Sequence, residues 1–183
     1  RGPSPITTAI LKGDKKTGVT FTKIKKKFDT GDIYLTLEFA ISQKDNKDTL
    51  EDKIIRLSSP LLVSLLDILE NHDLKTVPQS KRGVSYTRIF TKNDFKIDWT
   101  RPSSEITNKV RAFSSEPGCF TIWKGKVLKI LSAESVACRQ HCLKNGHRLK
   151  CGQVLKADSD GLIVKCMDKP EGPGNDKDIF IQI

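Results

Sequence analysis

No stretch of eighteen apolar residues occurs in the chain, so no membrane-spanning helix is expected. No methionine opens it, and RGPSPITTAILKGD carries neither a signal-peptide pattern nor a transit sequence. At the other end, DIFIQI stops inside an apolar, β-like run. Domains seldom end within a strand, so both ends read as cut and the chain as a fragment. Five cysteines, an odd number with no secretory signal beside them, point to reduced thiols in an intracellular compartment. Positive charge is not confined to one tail, because the net +10 divides as +5 on each side of Trp99.

What is present is enough for a core. Apolar residues make up 37% and charged residues 30% of the 183, which excludes global disorder and leaves room for one large domain or two small ones. A broad positive field suits a polyanionic partner, nucleic acid first. A Lys-rich solvated surface explains the same composition.

The chain divides into three parts. Ile6–Lys12 reads as a short helix stopped at Gly13. Gly18–Ile24 and Ile33–Ile41 are β-branched, alternating runs joined by a turn, which predicts an antiparallel hairpin. A helix is expected from Asp48, capped by Glu51, with Leu50, Ile54, Leu57, Leu61, Leu65 and Leu69 as its core stripe. Pro60 predicts a kink or two helices. Residues 72–99 read as a linker, polar and aperiodic from His72 to Arg88. In 100–183, Ser103–Phe113 is a capped helix, followed by hairpins at Cys119–Leu131 and Gly152–Cys166 and a last strand at Ile179–Ile183. Five short strands suggest a small, OB-like barrel. The fold class is therefore α/β over 1–71, then a linker, then a small β-domain over 100–183 with an insertion at about 134–151.

The chemistry-bearing stretch is KIKKKFDTGDIY, residues 23–34. A basic run meets two carboxylates around a glycine. Asp29, Gly31 and Asp32 form a turn in which Gly31 supplies backbone freedom, and Asp32 shapes the turn by accepting from backbone N–H groups. Most D-x-G triplets are only turns, and Lys23, Lys25, Lys26 and Lys27 fit either a solvated strand edge or a phosphate contact.

RGPSPI, GD…TGVTF, FDTGDIY, IDW and RAF…PGCFTIWKGKVLKI occur together and in this order. The set resembles the methionyl-tRNA formyltransferase family from Arg1 to about Ser132, and again at CGQVL. The resemblance implies a Rossmann-like formyl-transfer domain, a linker and a barrel-like domain that binds tRNA. It implies formyl transfer from 10-formyltetrahydrofolate to the methionine α-amine of initiator Met-tRNA, by a monomer. Asp29 then maps to the family's catalytic Asp, the tRNA phosphates fall to the four lysines, and the catalytic Asn and His lie upstream of Arg1. A fragment without them is expected to be inactive. The hydrolase domain of 10-formyltetrahydrofolate dehydrogenase, an alternative, usually carries Pro where this chain has Asp32.

A second constellation competes. Cys138, Cys142, His147 and Cys151 form C-x3-C-x4-H-x3-C, similar to a zinc knuckle but with two gaps each off by one, and ligand spacing decides whether four donors close a tetrahedron. A surface insertion with incidental thiols and no metal is the expectation. The alternative is a non-enzymatic nucleic-acid-binding module with a zinc-knuckle-like insert. The cysteine-rich insert inclines the reading to a mitochondrial compartment, with a bacterial-type cytoplasm as the other choice.

Overall fold

The fold was read from a computed structural model that describes residues 2–114, 116–137, 143–144, 147–148, 150–159, 161–167 and 179–182. The chain forms two compact units, one of residues 1–9 and 14–89, the other of residues 10–13 and 90–183.

The first unit is built on a hairpin. Helix α1 (Pro5–Lys12) contributes its first residues here, and strands β1 (Lys16–Thr22) and β2 (Ile33–Ala40) follow. β1 alternates exposed and half-buried positions along its whole length, the pattern of a strand with one covered face. The two strands pair antiparallel from Lys16 opposite Ala40 to Thr22 opposite Ile33, with a register shift between Phe21 and Thr22. Helix α2 (Lys47–Asn71) comes next. It starts earlier than its sequence suggests, because Asn46 Oδ1 accepts from the Thr49 N–H and Thr49 Oγ1 accepts from the Asn46 N–H, each at 2.9 Å. A reciprocal pair satisfies two otherwise orphaned donors, which Asp48 with Glu51 does not do here. Lys53 fastens α2 to the end of β2 by donating to the Ala40 carbonyl at 2.7 Å. Of the kink or two helices expected at Pro60, the two separate helices do not occur. Pro60 sits inside one continuous helix of 25 residues, so tertiary context overrides the local penalty. Of the expected stripe, Leu50 and Leu65 are buried, each contributing about 1.5–3 kcal/mol.

The second unit holds the larger core. A short 3-10 helix (Lys92–Phe95) and helix α3 (Ser103–Ala112) precede the strands. Ile106 and Val110, one helical turn apart, bury against Ile97, Phe113, Cys119, Ile130 and Cys166. Phe113 meets Phe90 and Phe95 edge-to-face at 5.0 and 4.9 Å, each contact adding about 0.5–1.5 kcal/mol beyond its buried area. Ser103 is not the helix cap. Its buried hydroxyl accepts from Ser135 Oγ at 3.0 Å, and Pro102 occupies the cap position.

β3 (Cys119–Trp123) and β4 (Lys126–Ile130) form one hairpin. β5 (Glu134–Ala137), β8 (Val154–Asp158), β9 (Gly161–Lys165) and β10 (Ile179–Gln182) form an antiparallel sheet in the order β5-β10-β9-β8. β6 (Leu143–Lys144) pairs β7 (His147–Arg148). Glu134–Ala137, placed by the sequence in the insertion, is thus a strand of the main sheet. Among the described residues the sheets are small and do not close on one another, so the barrel expected from strand count is not seen. Strand count alone carries no closure information, because closure depends on shear and edge pairing.

Candidate functional site

The loop between β1 and β2 is held closed at its base. The Lys23 N–H donates to the Asp32 carbonyl at 2.8 Å. Gly31 lies so close beneath this crossing that a Cβ there would stand 1.7 Å from the Lys23 carbonyl oxygen. The role of Gly31 is therefore close approach between two backbones. The left-handed backbone belongs instead to Asp29, at φ 56, a region that Asp and Asn tolerate better than most residues.

Two further bonds come from the aperiodic segment after α2. Val77 and Ile33 exchange backbone bonds of 2.7 and 2.9 Å, and Gln79 Nε2 donates to the Gly31 carbonyl at 2.5 Å. Thr30 Oγ1 donates to the Lys27 carbonyl at 2.8 Å inside the loop. The sequence hid Gln79 and Val77 because a single bridging residue in a polar stretch leaves no periodic signal.

The charged side chains divide into two groups. Lys25 Nζ lies 2.8 Å from Asp32 Oδ1, so Asp32 shapes the turn by accepting an ammonium in place of the backbone N–H groups expected of it. Lys23, Lys26 and Lys27 are exposed. Asp29 is also exposed, and its carboxylate meets no partner among the described residues. Ile24 and Phe28, which flank the lysines, are 95% and 93% exposed. Beside the loop lies a cleft of about 490 Å³ whose walls include Lys27, Thr30, Asp32, Gln79, Lys81 and Tyr86. The loop thus leaves one carboxylate exposed and unengaged, in the same segment as the exposed lysines. Such a carboxylate can take a proton or hold a neighbouring cation.

The second unit holds other chemically notable groups. The Thr100 hydroxyl and N–H both donate to Asp98 and, with Arg101 and Lys109, hold its carboxyl below the ordinary value. Burial pushes the Cys119 thiol up to about 11, against a smaller lowering by Lys109. Of the four residues in the zinc-knuckle-like pattern, Cys138 and Cys142 lie outside the described residues, as does the side chain of His147, whose backbone is in β7. Cys151 is exposed. Among the described residues no three His, Cys, Asp or Glu side chains gather as a metal site, and no helix is long and apolar enough to cross a membrane.

Comparison with known proteins decides the family. Residues 1–66 match the formyl transferase model and residues 89–170 match the model of the formyl transferase C-terminal domain. The chain belongs to the formyl transferase family. It is 38% identical over 169 residues to a methionyl-tRNA formyltransferase of Halothermothrix orenii, covering 92% of this chain and 53% of the relative. With the corresponding enzyme of Acidovorax ebreus it shares 37% over 166 residues, covering 91% and 50%. The chain therefore spans about half the length of the curated relatives it matches.

Solved structures share the fold. HypX from Aquifex aeolicus, determined in complex with tetrahydrofolic acid, aligns with a TM-score of 0.69 at 21% identity over 99% of this chain and 29% of that one. An N-formyltransferase from Helicobacter canadensis, in complex with folinic acid and dTDP-3-aminofucose, aligns with the same TM-score of 0.69 at 20% identity, over 100% and 61%.

Proposed function

We propose that this chain is part of an enzyme that transfers a formyl group from 10-formyltetrahydrofolate to the α-amine of methionine on initiator tRNA. The observation that carries the proposal is 31–38% identity to methionyl-tRNA formyltransferases over about 92% of the chain, spanning both units.

The chemistry follows from the groups involved. The amine attacks the formyl carbon, a C–N bond forms, and an oxyanion develops that needs hydrogen-bond donors. The bond from the formyl carbon to the folate nitrogen then breaks, and that nitrogen takes up a proton equivalent to the one the amine loses. Asp29 manages this proton, through water, and favours the protonated form of a histidine beside it. An exposed carboxylate in a loop anchored by Gly31 and Gln79 suits that work. Lys23, Lys26 and Lys27 neutralise tRNA phosphates, while Lys25 holds Asp32. The strands of the second unit belong, in this reading, to an OB-like barrel that meets the tRNA, and the enzyme acts as a monomer. The relatives named above are bacterial and lend no support to mitochondrial residence, which stays part of the proposal only through the cysteine-rich insert.

The test is the choice of acceptor. The full-length protein, given 10-formyltetrahydrofolate, is expected to formylate Met-charged initiator tRNA and to leave dTDP-3-aminofucose unmodified. Formylation of the amino sugar in place of the aminoacyl-tRNA would overturn the assignment.

A further inference from the structure

We propose that the tip of the β3–β4 hairpin is a stacking site for an unpaired RNA base, centred on Trp123. The inference rests on tRNA being the partner and adds a recognition site in the second unit.

Trp123 closes β3 and is 55% exposed, unusual for the residue with the largest apolar surface. The turn that follows explains its surroundings. Lys124 and Gly125 take φ 48 and 75, the tight two-residue geometry in which both central residues are left-handed. Lysine adopts that backbone at a cost that glycine avoids. The conformation places Lys124 Nζ 4.6 Å from the centre of the Trp123 ring, within the range of a cation–π contact. One face of the indole is therefore occupied by an ammonium.

The same ring also lines a cleft of about 470 Å³, together with Trp99, Leu128, Val154 and Leu162. That volume lies within the range of small-molecule sites, roughly 300–1,000 Å³. Trp99 is fixed there by a 3.0 Å bond from its Nε1 to Thr121 Oγ1. The walls are apolar and aromatic, and Thr121 is the lone polar side chain among the residues lining the cleft.

Charge selects the occupant. Residues 119–130 contain Lys124, Lys126 and Lys129 and no acidic residue, and all three lysines are exposed. Asp158, at the end of β8, is paired with Lys156. A flat aromatic group carrying a phosphate satisfies both the indole and the ammonium groups, and an unpaired nucleotide is such a group. Stacking on aromatic side chains tolerates any base, because every base has a π-face.

The test uses the full-length protein with tRNA and with the single-stranded octanucleotide rA8. Binding of rA8 is expected to quench tryptophan fluorescence. Trp123→Ala is expected to weaken rA8 and tRNA binding roughly 5- to 100-fold, while Trp123→Phe retains most of the affinity and an 8-bp duplex binds no better than rA8. If the unaltered protein binds neither RNA, both the tRNA reading and this inference fall. If it binds tRNA and Trp123→Ala binds equally well, only this inference falls. Sedimentation showing a dimer that Trp123→Ala dissociates would assign the face to a second copy of the chain and overturn the inference.

Discussion

Lys25 Nζ stands 2.8 Å from Asp32 Oδ1, so one lysine of the basic run is engaged within its own loop. An exposed pair of this kind contributes only about 0–1 kcal/mol to stability, and its main effect is on which charges remain free to meet a phosphate. Removing both partners together, Lys25→Ala with Asp32→Ala, is expected to leave the salt dependence of tRNA binding unchanged. Lys26→Ala with Lys27→Ala is expected to flatten it by roughly 0.7–0.9 in logarithmic slope for each phosphate no longer neutralised. Titrations at several salt concentrations check this, and equal slopes for the two double variants would remove the lysines from the interface.

Gly31 carries a steric prediction. A methyl group there meets the Lys23 carbonyl at 1.7 Å, and a backbone atom cannot rotate aside as a side chain can. Gly31→Ala is expected to lower stability by about 1–3 kcal/mol, read from denaturant midpoints by circular dichroism. An unchanged midpoint would mean that the hairpin base is looser than described.

Much of the scaffold was legible because its signals are local. The alternation of the β1 residues gave the hairpin, and the Lys124-Gly125 pair gave the turn between β3 and β4 that the structure contains. Other features depend on distant partners and leave no local trace. The bridge from Ile33 to Val77 and the bond from Gln79 to Gly31 cross more than forty residues. β5 is a strand through its pairing with β10, and its four residues show no strong pattern of their own. At the candidate site, the D-x-G-D pattern pointed to Asp29 and Gly31, yet it assigned the unusual backbone to Gly31 where the structure gives it to Asp29. Pro60 shows the opposite failure. A strong local penalty suggested a kink or two helices, and α2 continues through it as one helix.

Cys119 gives a prediction in pH. Burial raises its thiol from 9.0 to about 11, and its Sγ contacts the Lys109 carbonyl at 3.5 Å. The folded state thus favours the neutral thiol more than the unfolded chain does. Its stabilising contribution is fully present below pH 9, and is lost as pH rises towards 11, to a total of roughly 2–3 kcal/mol. Denaturation series across that window are expected to show the decline, with a shallower slope in Cys119→Ala. Peptide-mapped thiol labelling of the native chain at pH 8 is expected to modify Cys151 while sparing buried Cys119 and Cys166. Rapid labelling of Cys119 in the folded protein would contradict its burial.

The central claim is that Asp29, exposed at φ 56 in the closed loop, manages the proton in formyl transfer. Its most direct test is the rate of Met-tRNA formylation by the full-length protein carrying Asp29→Asn, which keeps the size of the side chain and removes its charge. The account predicts a rate lower by about 10²–10⁴-fold, with unaltered affinity for tRNA. Formylation at the rate of the unaltered protein would contradict it.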